Sequence, residues 1–157
     1  MNRLDPHITT VWRLTGLIAA AVLTTVIGML EWLVLSPEGI TLFVPGGLTA
    51  LAGAVALARA LYWPTLRYRY WGWLVDDDRV IIEKGVVWRS RSLIPRVRVQ
   101  HVDTRTSPLQ RWLGLSSLIV YTAGTRGADV EIPGLAADDA ERLREDLARV
   151  EELDERT

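Results

Sequence analysis

The sequence predicts an α+β membrane protein in two parts: a hairpin of two transmembrane helices, then a mainly β domain, a bent antiparallel sheet or barrel capped by a C-terminal amphipathic helix. Three observations lead there. Charge is sparse in the first 63 residues and plentiful afterwards. From Tyr68 onward, short β-prone runs are separated by turn signals. Beyond Pro133-Gly134 the apolar residues recur at the period of a helix.

With 157 residues the chain suffices for one soluble domain, because setting the apolar segments aside leaves about 95 residues for a core. Charge is unevenly placed. Met1 to Ala58 has two basic and three acidic residues, Arg59 to Arg126 twelve and five, Gly127 to Thr157 four and eleven, so a net of −1 conceals blocks of −1, +7 and −7. The absence of cysteine excludes disulfides, thiolate nucleophiles and cysteine metal sites.

Leu14 to Leu30 are uncharged, and a turn from Trp32 to Leu35 extends them to the roughly 30 Å of a hydrocarbon core. That stretch is longer than the h-region of a signal peptide, and Ser36-Pro37-Glu38 makes a poor cleavage site, so the segment is expected to be retained. Thr41 to Ala58 is again uncharged and continues past Arg59 to Trp63, with Pro45 in its first turn. The helices are therefore expected at about 12–35 and 41–62, joined by the turn-like Ser36-Pro37-Glu38-Gly39, with residues 1–63 forming the membrane part and 65–157 the domain. Arg3, Arg13, Arg59, Arg67 and Arg69 flank the pair while the connection has only Glu38, so the positive-inside rule places both termini in the cytoplasm. Trp12 and Trp63 would mark the inner interface and Trp32 the outer. Small residues recur at every fourth position, Gly16, Ala20, Thr24 and Gly28 on the first helix and Gly46, Ala50, Ala54 and Ala58 on the second, a spacing that lets helices approach closely in lipid. Arg13, Glu31 and Arg59 lie at helix ends, which leaves no mid-membrane relay for transport by a single copy.

In the domain, strands are expected over Tyr68–Val75, Val80–Glu83, Val86–Ile94, Val97–Thr104, Leu118–Ala123 and Ala128–Ile132. Asp76-Asp77-Asp78 and Gly124-Thr125-Arg126-Gly127 supply hairpin turns, and Lys84-Gly85 separates two strands. Pro108 to Leu113 reads as a helical turn ending at Gly114. The final helix has Ala140, Leu143, Leu147 and Val150 on one face and Asp138 and Asp139 in its first turn, where carboxylates favour the helix dipole. A bent sheet closed at one end by such a helix is the plan of the pleckstrin-homology fold.

The runs Ile94-Pro95-Arg96-Val97-Arg98-Val99-Gln100-His101-Val102-Asp103, Pro108-Leu109-Gln110-Arg111-Trp112-Leu113-Gly114-Leu115, Tyr121-Thr122-Ala123-Gly124 and Ile132-Pro133-Gly134-Leu135 resemble, in this order, the YdbS-like family of bacterial membrane proteins. The resemblance covers nearly the whole chain. It implies a bacterial pleckstrin-homology-like domain on the cytoplasmic side of the plasma membrane and supplies no catalytic residues.

Arg89, Arg91, Arg96, Arg98, Arg105 and Arg111 form a candidate basic binding surface, which could attract an anionic lipid or acidic partner or could be a solvated strand face under the positive-inside bias. Nucleic acid is disfavoured by the tether to the bilayer and the acidic helix. His101 and Asp103 are two apart on one strand with no third partner in sequence, which favours a structural role over a metal or catalytic one. Asp76-Asp77-Asp78 lacks the spacing of a calcium loop, and Gly124-Thr125-Arg126-Gly127 lacks the helix and lysine of a phosphate loop. Trp71 and Trp73 share a strand face and suit either the headgroup region or the core. The expected role is a non-enzymatic binding or scaffolding module without metal or cofactor, integral to the bilayer and docking a protein partner or another copy of itself. The alternative is an accessory subunit of a multi-protein membrane complex serving export or the envelope.

Overall fold

The computed structural model describes residues 1–35, 46–76, 78–122 and 129–154. The expected connection Ser36-Pro37-Glu38-Gly39, Pro45, Asp77 and the turn Gly124-Thr125-Arg126-Gly127 lie outside the described residues. The chain divides into two compact units, Thr9–Leu66 on one hand and Met1–Ile8 with Arg67–Thr157 on the other.

The helical unit pairs α1 (Ile8–Leu35) with α2 (Gly47–Arg69). Ile8–Val34, with a mean hydropathy of 2.1, is the one helix among the described residues long and apolar enough to cross a membrane. The second span expected over 41–62 begins outside the described residues, and α2 runs on to Arg69 through Pro64. Proline removes the bond to the carbonyl four residues back, which is why a helix end just before it is the natural expectation. Here Arg13 Nη2 donates to Thr65 Oγ1 at 2.9 Å and holds the turn that follows.

The helices lie antiparallel, Gly16 against Ala60, Thr24 against Gly53 and Gly28 against Thr49, so closely that a side-chain carbon added at any of the three glycines would come within 3.2 to 3.3 Å of its neighbour. Of the stripe expected on α1, Gly16, Thr24 and Gly28 meet α2 in this way. On α2 the expectation is corrected: Gly46, Ala50, Ala54 and Ala58 are exposed, and the packed face carries Thr49, Gly53 and Ala60. Small residues occur almost all round α2, so spacing alone does not set the phase. Glu31 does, at 8% exposure: its carboxylate accepts from the Gly46 N–H at 2.8 Å, the Thr49 N–H at 2.9 Å and the Thr49 hydroxyl, capping the start of α2 from the end of α1. Trp32 is exposed, Trp12 half-buried, and Trp63 lies 5.5 Å beneath the Arg59 guanidinium.

The β unit has two three-stranded antiparallel sheets, β1 (Gly72–Val75), β2 (Arg79–Lys84) and β3 (Ser90–Pro95) in one and β4 (Val99–Arg105), β5 (Leu115–Thr122) and β6 (Val130–Ala136) in the other. A single 3₁₀ turn, Arg96–Arg98, joins the sheets, which form separate ladders among the described residues rather than one closed barrel. α3 (Pro108–Trp112) bridges β4 and β5, and α4 (Ala137–Asp154) covers the second sheet. Val80, Ile82, Leu115, Leu118, Val120 and Ile132 are fully enclosed, with Ala140 and Leu147 of α4 buried as its period predicts and Leu143 half-buried. Trp71 and Trp73 belong to this core. The side chain of Val150 lies outside the described residues.

Strands β1, β3 and β4 start later than expected, β4 at Val99 rather than Val97 because Arg96–Arg98 form the 3₁₀ turn. β1 begins only at Gly72 because α2 is still helical at Arg69, and the Val86–Ile94 run starts as a loop, with strand from Ser90. Gly85 permits that loop: its φ of +121° suits glycine, and a Cβ there would lie 1.8 Å from the Trp88 carbonyl oxygen.

The division of the chain also differs from the boundary expected near residue 63. Met1–Ile8 folds with the β unit, where Asn2 and Trp73 exchange backbone hydrogen bonds of 2.7 and 3.0 Å. The Tyr68 hydroxyl donates to the Leu4 carbonyl at 3.1 Å, and the Asp5 N–H to the Gly134 carbonyl at 2.9 Å. Gly134 has φ +62°, and a Cβ there would lie 2.5 Å from Ile8, so glycine lets the N-terminal segment pass.

A basic cleft as candidate functional site

The family-like runs turn out to close the domain. Arg96, in the turn between the sheets, has a side chain only 9% exposed and pairs with Asp146 of α4, so the best-buried member of the expected basic surface is a tie between sheet and helix rather than a docking residue. In the second run, the Ser107 hydroxyl accepts from the Gln110 N–H at 3.2 Å while Gln110 Oε1 accepts from the Ser107 N–H at 2.9 Å, a reciprocal cap completed by Pro108 at the first helical position. Gln110 is itself buried and donates from Nε2 to Ser117 Oγ at 3.0 Å. Gly114, at φ +67°, ends this helix, and its carbonyl accepts from the Ala137 N–H where α4 begins.

The remaining arginines separate by place. Arg98, Arg105 and Arg111 are exposed, Arg98 in the 3₁₀ turn, Arg105 at the end of β4 and Arg111 on α3. Arg89 and Arg91 line a cleft of about 550 Å³ together with Arg3, Arg69 and Lys84. Met1–Arg3, Arg69–Gly72, and Glu83–Gly85 with Arg89–Arg91 at the two ends of the β2–β3 connection supply its lining. Five basic side chains and one carboxylate, Glu83, therefore face one concavity, a net of +4. Glu83 and Arg91 sit opposite one another in the β2–β3 ladder and pair at 3.1 Å. The Arg89 guanidinium lies 5.3 Å from the centre of the Tyr70 ring, which braces it against the cleft wall.

Arg3, Arg69 and Lys84 escape sequence reasoning as site residues. Arg3 and Arg69 count there only as charges flanking helices, and nothing local says that residues some eighty positions apart meet; the signal that could have found them is the pairing of Asn2 with Trp73, which a two-residue bridge is too short to announce. The volume suits a small anion or a phosphorylated headgroup.

His101 and Asp103 pair at 2.9 Å, both well exposed, with the Tyr121 ring 5.8 Å from the imidazole. They tie neighbours on an open strand face. No group of three or more His, Asp or Glu residues among those described is placed to hold a metal ion.

A profile of the family described as bacterial PH domain matches residues 7–151. The UPF0699 transmembrane protein YdbS of Bacillus subtilis is 29% identical over 153 residues, covering 95% of this chain and 91% of that protein. The UPF0699 transmembrane protein YdbT of the same organism is 27% identical over 114 residues, 66% of this chain but 23% of that longer protein. No solved structure matches the chain.

Proposed function

We propose, from the premise that this chain belongs to the bacterial PH domain family, that it is a non-catalytic binding module anchored in the plasma membrane, its β unit held at the inner face to dock a partner. The observation that carries this reading is the cleft: five cations converge on it, and its lining of backbone edges and basic side chains is suited to holding an anionic group. Both helices present large apolar side chains outward, Val22, Met29 and Val34 from α1 and Leu48, Leu51 and Val55 from α2, as helices bathed in lipid do. In this reading both helices span the bilayer, and Arg3, Arg13, Arg59 and Arg69 keep both termini in the cytoplasm.

Purification of the full chain in a native nanodisc, followed by mass spectrometry, tests the reading. A partner recovered at constant ratio and lost when Lys84 and Arg89 are replaced by serine supports it; turnover of a co-purified small molecule would overturn it in favour of an enzyme. A second reading, an accessory subunit of a larger membrane complex, is favoured by one observation: the small-residue face of α2 formed by Ala50, Ala54 and Ala58 is exposed. Recovery of integral membrane partners that survives the cleft substitutions would select it.

A further inference from the structure

The loop that walls the cleft carries a second feature at its tip. Trp88 is 88% exposed and Val87 73% exposed, two large apolar side chains between the cationic Lys84 and Arg89. The loop is short and defined, since Lys84 and Ser90 face one another in the ladder and Gly85 supplies the positive φ that turns the chain. A tryptophan and a valine held out in water by a glycine-set loop, with Arg69, Lys84, Arg89 and Arg3 lining the same concavity, combine what an anionic bilayer surface recognises: an aromatic ring that prefers the headgroup level and cations that neutralise phosphates. Chain connectivity adds a constraint, because Arg3 precedes Ile8, the first residue of the apolar helix, by five positions, at most about 18 Å of extended chain.

We propose that the β2–β3 loop and the basic cleft together form a membrane-docking surface, in which Val87 and Trp88 enter the interfacial region while the cleft takes the phosphate of an anionic lipid headgroup. This rests on the binding-module reading and names the partner of its cleft. Cleft and loop depend on one another here: the apolar tip alone would bind any bilayer weakly, and the cations alone would bind any polyanion. Near an anionic surface each basic residue contributes about fivefold in partitioning, from about 1 kcal/mol each, so removing two should weaken docking roughly 25-fold.

Because the sequence has no cysteine, Val87→Cys provides a unique attachment point for an environment-sensitive fluorophore on the full chain. The labelled protein is placed in nanodiscs of phosphatidylcholine alone or with about one-third phosphatidylglycerol, each doped with a nitroxide-bearing phospholipid; that fraction is chosen to give a surface potential of the order found at cytoplasmic leaflets. Quenching and a blue shift are expected in the anionic discs, several-fold smaller in neutral discs, and lost when Lys84→Ser and Arg89→Ser are added or when salt shortens the Debye length to about 3 Å. Equal quenching in both discs would overturn the headgroup assignment. Absence of quenching in both would overturn the docking surface as a whole. A label shielded from a water-soluble thiol-independent quencher, yet untouched by the lipid nitroxide, would assign the loop to a protein contact and equally overturn it. Inorganic phosphate competing at millimolar concentration in the neutral discs, without any lipid contact, would assign the cleft to a free anion instead. If a protein partner still co-purifies while the label fails to meet lipid, the binding-module reading stands and this one falls.

Discussion

The β unit has two differently built ends. Where the sheets meet α4, charged and polar groups find partners within the chain: the Arg96 guanidinium pairs with Asp146 through Nη2, Gln110 with Ser107 and Ser117, and the Gly134 carbonyl accepts from the Asp5 N–H. At the cleft positive charge predominates, five cations against one carboxylate, with an exposed tryptophan beside them. The first arrangement stabilises one fold. The second has a single internal ion pair, Glu83 with Arg91, and an excess of four cations, as a surface does when its partner comes from outside. The same residue type, arginine, has opposite meanings at the two ends, and what distinguishes them is burial: the Arg96 side chain is 9% exposed and that of Arg91 64%.

The comparison breaks if substitutions at the closed end leave stability unaltered. Gly134→Val should have the largest effect, since it combines a left-handed φ with a clash against Ile8; a loss of about 3 to 5 kcal/mol is expected, seen as a collapse of the thermal midpoint of the full chain in detergent by tryptophan fluorescence. Leu147→Ala comes next, at about 2 to 4 kcal/mol, because Leu147 is 3% exposed. Half-buried Leu143, although equivalent on the helical wheel, should lose less than half as much on truncation. Gln110→Ala removes both a cap and a buried hydrogen bond and should cost about 1 to 2 kcal/mol in the same assay.

Smaller still is the effect of Asp146→Asn. The carboxylate is 55% exposed, so water compensates part of the loss, and about 1 kcal/mol is expected; a loss as large as that for Leu147→Ala would mean that the pair carries more of the closure than its exposure allows. The comparison is sharpest where stability should not move. Lys84→Ser and Arg89→Ser should shift the midpoint by no more than about 0.5 kcal/mol equivalent while reducing binding, and a matching drop in stability would turn the cleft into one more structural cluster.

Much of the fold is legible in the sequence because it is written locally. The uncharged run of α1, the 3.6-residue period of α4 and the Ser107 to Gln110 region need only neighbours in sequence to be recognised. What is not legible depends on meetings between distant segments. The pairing of Asn2 with Trp73 recruits eight N-terminal residues to the β unit without any period to signal it, and with them Arg3 to the cleft. The packed face of α2 is hidden for a different reason: small residues surround that helix, so the deciding contact is a polar one, Glu31 on Thr49, that no small-residue pattern encodes. Arg96 reads as surface charge because burial of a cation is decided by its partner some fifty residues away.

The polar contacts of the helical unit have a mechanical consequence. Arg13 holds Thr65 at one end of the pair and Glu31 holds Gly46 and Thr49 at the other, with three glycine contacts between. A piston stroke of one helical turn, about 5.4 Å, would break both end ties and drive side chains into glycine notches that have no room for them. α1 and α2 are therefore riveted against sliding at both ends and along their length, so that a displacement of one helix along its axis is resisted by the other.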